Sequence, residues 1–117
     1  MLYVGLISGT SADAIDAALV DIDGDAIQTV ATHSHAFAPE LGARLADALA
    51  TPATLTAQDC GSLDAALGHT FAAAARSVID KAGVAADAVR AIGSHGQTLF
   101  HAPDGPEAFT LQAGDPA

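Results

Sequence analysis

Three extended runs, Leu2 to Ile7, Ala17 to Asp23 and Ile27 to Phe37, open the sequence with only short turns between them. The first two are dominated by apolar residues and the third alternates apolar with polar, so all three read as strands. Asp23-Gly24-Asp25 supplies a turn whose glycine can take positive φ. Strands that follow one another this closely form an antiparallel meander, and the rest of the chain has to pack on it.

Two helices come next. The first is expected from about Pro39 to Ala50, with proline in its first turn and Leu41, Leu45 and Leu49 repeating along one face. Thr51-Pro52 stops it, because the residue before a proline disfavours helical backbone. Thr56 is a good N-cap for the second helix, with Asp59 in the first turn where it complements the helix dipole. Leu63, Leu67, Phe71, Ala74 and Val78 form its apolar stripe, read as core, and Gly83 is its stop. A short apolar strand from Val89 to Ser94, then a hairpin of Leu99 to His101 and Phe109 to Gln112 across a Pro-Gly turn, complete the elements. The sequence closes on Gly114-Asp115-Pro116-Ala117, a turn-forming stretch that leads into a further element and reads as truncated.

Functional information is concentrated where strands empty into small polar residues. Gly5-Leu6-Ile7-Ser8-Gly9-Thr10-Ser11-Ala12-Asp13-Ala14-Ile15-Asp16 passes from a strand into a turn around Gly9. Glycine lets the main chain approach an anion, Ser and Thr add donors, and N–H groups of a tight turn converge on negative charge without a basic side chain. The stretch is neither a Walker sequence, since no Lys follows the glycines, nor a dinucleotide fingerprint. Asp13 is read as a magnesium ligand or organiser of the phosphate site. Asp16 is either a second such ligand or a solvated strand-edge residue. Gly93-Ser94-His95-Gly96-Gln97-Thr98 repeats the pattern of a strand discharging into a polar loop, the usual place for ligand contacts in open α/β sheets. There His95 is either an acid or base or a partner for a sugar hydroxyl beside the Gln97 amide and Thr98 hydroxyl.

Composition narrows the partners. The formal net charge of the 117 residues is -10, with only four Lys and Arg, which argues against nucleic acid or an anionic membrane surface. Arg44, Arg76, Lys81 and Arg90 all lie in or beside expected helices, so a phosphate in the first loop must be met by backbone donors and a divalent cation. About a quarter of the chain is alanine and only 4% is aromatic, which makes a thin core. Cys60, the only cysteine, allows no internal disulfide and reads as a packing residue. With no basic amino-terminal region, and with Asp13 and Asp16 interrupting the apolar stretch, the expected location is cytoplasmic. His33 and His35 share a strand face without conventional metal-ligand spacing around them, and His69 and His101 are isolated.

These motifs together resemble one family, the anhydro-N-acetylmuramic acid kinases of bacterial cell-wall recycling. Its opening pattern, Gly-Leu-Met-Ser-Gly-Thr-Ser-Leu-Asp-Gly-Ile-Asp, is matched by residues 5 to 16 except at Ile7, Ala12 and Ala14. Its Gly-Ser-His-Gly-Gln-Thr is matched by residues 93 to 98, and its Thr-Leu-Gln-x-Gly-Asp-Pro by residues 110 to 116. The resemblance implies an α/β fold, the first ribonuclease-H-like domain of the superfamily of acetate and sugar kinases, heat-shock ATPases and actin, occupying residues 1–117 with the second domain absent. It implies that Gly9, Thr10, Ser11, Ala12, Asp13, Ala14, Ile15 and Asp16 bind ATP with Mg2+. Ser94, His95, Gly96, Gln97 and Thr98 would line the pocket for an anhydro amino sugar. It places the water-activating aspartate beyond Ala117, so no residue of this sequence is given the catalytic role, and it suggests a homodimer. A positive φ at position 14, where the family has glycine, would make Ala14 cost roughly 1 kcal/mol.

Overall fold

The computed structural model describes residues 1–9 and 11–117. Strand β1 (Leu2–Ser8) pairs antiparallel with β2 (Ala14–Asp23), which pairs antiparallel with β3 (Ala26–Ala36), giving the expected meander. The second strand begins three residues earlier than its apolar run suggested. The backbone ladder from Ser8↔Ile15 to Gly5↔Ala18 carries Ala14, Ile15 and Asp16 into the sheet. Gly24, at φ 60°, makes the β2–β3 turn.

Helix α1 (Pro39–Ala50) and helix α2 (Ala57–Ala82) cover one face of this sheet. The termini of α2 are set by local chemistry. Thr56 Oγ1 accepts from the Asp59 N–H at 3.1 Å while the Asp59 carboxylate accepts from the Thr56 N–H at 2.9 Å, a reciprocal cap of two otherwise orphaned donors. Gly83 closes the other end in the left-handed region. The stripe read from sequence is buried throughout, joined by Ala75 and Ile79, and it meets Val4, Leu6, Ile15, Ala17 and Leu19 from the sheet. Alanines in the stripe let the helix axis approach the strands closely, so a core poor in aromatics still excludes water. Cys60 packs against this core, half-buried, and Phe71 is a core residue.

Strand β4 (Val89–Ser94) joins the sheet parallel to β1, giving the mixed order β3-β2-β1-β4. Strands β5 (Gln97–Ala102) and β6 (Phe109–Ala113) form a separate antiparallel hairpin. No described helix is long and apolar enough to cross a membrane. The architecture is thus a mixed α/β domain in which β1 lies at the centre, and the two polar junctions leave the carboxyl ends of its neighbouring parallel strands β1 and β4.

Candidate functional site

The first junction is shorter than the motif that announces it. Between Ser8 and Ala14 the described positions 9 and 11 to 13 lie outside strands, and Thr10 lies outside the described residues. The Ala12 N–H donates to the Gly9 carbonyl at 3.1 Å, closing a turn. Ser11 Oγ donates to Asp13 Oδ1 at 2.7 Å. That hydroxyl first, and then the backbone N–H groups of Asp13 and Ala14, hold the Asp13 carboxyl below the usual carboxylate range. Donors of the loop therefore converge on a negative charge, which in this state is the loop's own aspartate.

Three residues of the stretch expected to bind cofactor lie in β2 and not in the turn. Ile15 is wholly buried beneath the helices, Ala14 is the first residue of β2, and Asp16 is exposed on the sheet face away from them. The strand period of two separates Asp16 from its neighbours Ile15 and Ala17. The concern over position 14 is also corrected. Ala14 has ordinary strand backbone, whereas among the described residues Ala12 is the non-glycine residue with positive φ, at 51°. Left-handed backbone at an alanine costs roughly 1 kcal/mol, so strain in this turn lies two residues before the place expected.

The second junction is tighter still. Gly93 and Ser94 belong to β4, and Gln97 and Thr98 belong to β5, leaving His95 and Gly96 as the turn. The His95 N–H donates to the Leu6 carbonyl at 2.9 Å, extending the parallel β1–β4 ladder. His95 is exposed at the tip, and Ser94 Oγ accepts from the Gly96 N–H at 3.3 Å. Gly96 has φ 74°, and a Cβ there would stand 2.7 Å from the Ala113 carbonyl oxygen, so the position admits only glycine without backbone displacement. Gln97 is not at the surface. Its side chain is 2% exposed, its Oε1 accepts from Ser8 Oγ, and its Nε2 donates to the Thr98 carbonyl at 3.2 Å. Ser8 is itself buried, and its N–H reaches the Gly96 carbonyl at 3.4 Å. Gln97 thus braces the first junction against the second from beneath. Thr98 is half-buried, with its Oγ1 accepting from Gln112 Nε2 at 3.1 Å.

The closing motif arrives at the same place. Gly114 packs on the Phe71 ring and near Gly96, and a cleft of about 310 Å3 opens beside it, lined among others by His69, Phe71, Ile92, Ser94, Gly114 and Asp115. A wider hollow of about 680 Å3 on the open sheet face contains Asp16, Thr32 and Lys81 but neither junction, so its size alone does not make it the site. The contacts that join the three motifs run through Ser8, which the sequence places in the phosphate-loop stretch but the structure turns inward to Gln97, and through Asp64, to which sequence reading assigns no role. Gly68, an interior helical glycine that costs about 1 kcal/mol relative to alanine, was the available signal that something lies close against α2.

With this arrangement in view, similarity to known proteins becomes informative. A family model described as anhydro-N-acetylmuramic acid kinase matches residues 1–117. Proteins named anhydro-N-acetylmuramic acid kinase match at 46% identity in Coxiella burnetii (strain Dugway 5J108-111), 46% in Shewanella halifaxensis and 43% in Vibrio cholerae. Each alignment covers 97% of this chain. The chain belongs to the anhydro-N-acetylmuramic acid kinase family. It spans about 30% of the length of these curated relatives, corresponding to their amino-terminal part.

Within this family member, His69 lines the cleft beside Gly114, whereas the other histidines besides His95 stand apart from the junctions. His33 Nε2 and His35 Nδ1 are 3.2 Å apart on β3, with their rings edge-to-face, and among the described residues no three potential metal ligands cluster. His69 and His101 are exposed.

Proposed function

We propose that this chain is the amino-terminal, ribonuclease-H-like domain of an ATP-dependent kinase that acts on anhydro-N-acetylmuramic acid. In this reading ATP places its phosphates on the turn from Gly9 to Asp13, and the anhydro amino sugar lies against Ser94, His95 and Thr98. The 1,6-anhydro bond opens with water as the γ-phosphate is transferred, yielding N-acetylmuramic acid 6-phosphate and ADP. The observation that carries the reading is the convergence of three motifs distant in sequence. Ser8 bonds Gln97, and Gly96 lies against Ala113 and Gly114, so both junctions and the closing motif share one end of the sheet. Ligands of open α/β sheets sit outside the carboxyl ends of strands, and β1 and β4 both end there.

The residues present fit a magnesium nucleotide. Ser11 already donates to the Asp13 carboxylate, and the backbone N–H groups of Asp13 and Ala14 help hold that carboxyl below its usual range, so donors suited to a phosphate oxygen lie at this turn. Asp13 stays ionised well below neutral pH and is exposed, and magnesium is ordinarily held by one or two carboxylates together with substrate phosphates and water. When bound, the cation neutralises phosphate charge that no Lys or Arg of the junctions can meet. Asp13 would hold it, and the turn's donors would then be released to the phosphate. Gln97 supports this surface from within, and the exposed tip at His95 orients sugar hydroxyls. The base that activates water is assigned to the part of the relatives' length that this chain does not span. Cytoplasmic location and a homodimer complete the proposal.

Calorimetric titration with Mg-ATP, with and without the anhydro sugar, tests it. Binding that Asp13→Ala weakens at least about tenfold supports the reading, and absence of binding to a folded chain overturns it. Sugar-dependent release of ADP by these 117 residues alone would overturn the assignment of the base to another segment.

A further inference from the structure

The geometry points to Asp64 as a positioning residue that holds the Gly-Asp-Pro segment as one wall of the site. Asp64 lies in the second turn of α2, and it makes two bonds to consecutive amides fifty residues away. Its Oδ1 accepts from the Gly114 N–H at 2.8 Å, and its backbone carbonyl accepts from the Asp115 N–H at 3.1 Å. One turn further along the helix, Gly68 leaves the space into which the segment settles. A Cβ at Gly68 would stand 2.7 Å from the Asp115 carbonyl oxygen and 3.2 Å from the Asp115 amide nitrogen. Both atoms are backbone and cannot turn aside. On its other flank Gly114, at φ 127°, leaves only enough room for the Phe71 ring, 3.1 Å from where its Cβ would be, and for Gly96.

The segment is therefore clamped between α2 and the His95–Gly96 turn, and it forms part of the wall of the 310 Å3 cleft that Ser94 also lines. Without the Asp64 side chain, the Gly114 N–H loses its acceptor and the wall of the cleft is held to α2 by the single backbone bond from Asp115. An ionised carboxylate is a stronger acceptor for an amide than a neutral oxygen, but an asparagine oxygen occupies the same position. Direction of the segment, rather than charge, is what Asp64 supplies. The link to the site rests on the kinase reading given above, whereas the clamp itself does not.

Amide hydrogen exchange of the chain, followed residue by residue, separates the two. In Asp64→Ala the Gly114 amide should exchange at least about tenfold faster, while the Asp115 amide keeps its bond to the residue 64 carbonyl and the β1 and β2 amides are unchanged, because one local side-chain bond is lost and the core is not. Asp64→Asn should restore Gly114 protection to within about threefold, since the amide oxygen still accepts, and Gly68→Ala should reproduce the alanine variant. Titration with Mg-ATP and with the anhydro amino sugar is run on the same proteins. Weaker sugar binding in Asp64→Ala, recovered in Asp64→Asn, supports the positioning role. Unchanged Gly114 exchange in Asp64→Ala overturns it, as does loss of protection throughout the domain, or a freed Gly114 amide with unaltered sugar affinity. If the wild-type chain binds neither ligand, the kinase reading fails for this chain and the sugar-site role falls with it, while the exchange data still decide whether the clamp exists.

Discussion

Removing either partner of the buried Ser8–Gln97 pair should destabilise the domain more than removing both. Ser8 is 3% exposed and Gln97 2%, so neither exchanges its partner for water when the other is truncated. In Ser8→Ala the Gln97 Oε1 is left as a buried acceptor without its donor, which costs about 1–3 kcal/mol. In Gln97→Met, chosen because methionine keeps the unbranched shape, the Ser8 hydroxyl is stranded at a similar cost of about 1–3 kcal/mol, and the bond to the Thr98 carbonyl is lost as well. The double variant leaves no stranded group from this pair, and its loss should be smaller than either single loss and at least about 1 kcal/mol below their sum. Urea unfolding followed by circular dichroism measures all three. With a slope near 2 kcal/mol/M, a loss of about 2 kcal/mol lowers the midpoint by about 1 M, a large part of the stability of a domain this size. Single variants within about 0.5 kcal/mol of wild type, or losses that simply add, would refute the view that this pair is a dry brace between the junctions.

Other outcomes follow from the same geometry. Gly96→Ala should cost about 2–4 kcal/mol, since left-handed backbone and overpacking against the Ala113 carbonyl combine; Gly61→Ala, at an exposed helical position with nothing within 4 Å, should be neutral or stabilising on the same urea curves. Ala12→Gly should raise stability by about 0.5 kcal/mol, because relief of positive-φ strain exceeds the added freedom of the unfolded chain; thermal unfolding that shifts downward instead would contradict it. Thr56→Ala should cost about 1 kcal/mol through the lost cap. The Thr56 backbone N–H, then its hydroxyl, lower the folded-state pKa of Asp59 relative to the unfolded chain. Its contribution is therefore present above the unfolded value and is lost as pH falls through the folded one. The stability gap between wild type and Asp59→Asn should accordingly close on acidification below the carboxylate range, and a gap that widens there would reverse the assignment.

Local chemistry was legible without a structure because its determinants are neighbours in sequence. Thr56 and Asp59 cap α2 three residues apart, Gly83 ends it, and the spacing of Leu63, Leu67, Phe71, Ala74 and Val78 is itself the buried face. The meander was equally readable from short turns between extended runs. Motif boundaries were not, since strand pairing extends order past the last apolar residue. The ladder to β1 draws Ala14 to Asp16 into β2, whereas β4 ends at Ser94 where the apolar segment read from sequence also ends. A motif therefore marks where ligand chemistry is concentrated without marking which of its residues face the ligand.

By itself the sequence determined the elements, the family and the positions at which small polar residues interrupt apolar strands, because each depends on residue type and short-range spacing. Tertiary structure decided what those residues do. It turned Gln97 inward to Ser8, moved positive φ to Ala12, buried Ile15, and brought Asp64 to the amides of Gly114 and Asp115. Each of these outcomes depends on which backbone donor or acceptor lies opposite after the sheet closes and α2 docks. For Gln97 and Asp64 that is a property of contacts between residues fifty to ninety positions apart, to which no local pattern of residue types corresponds.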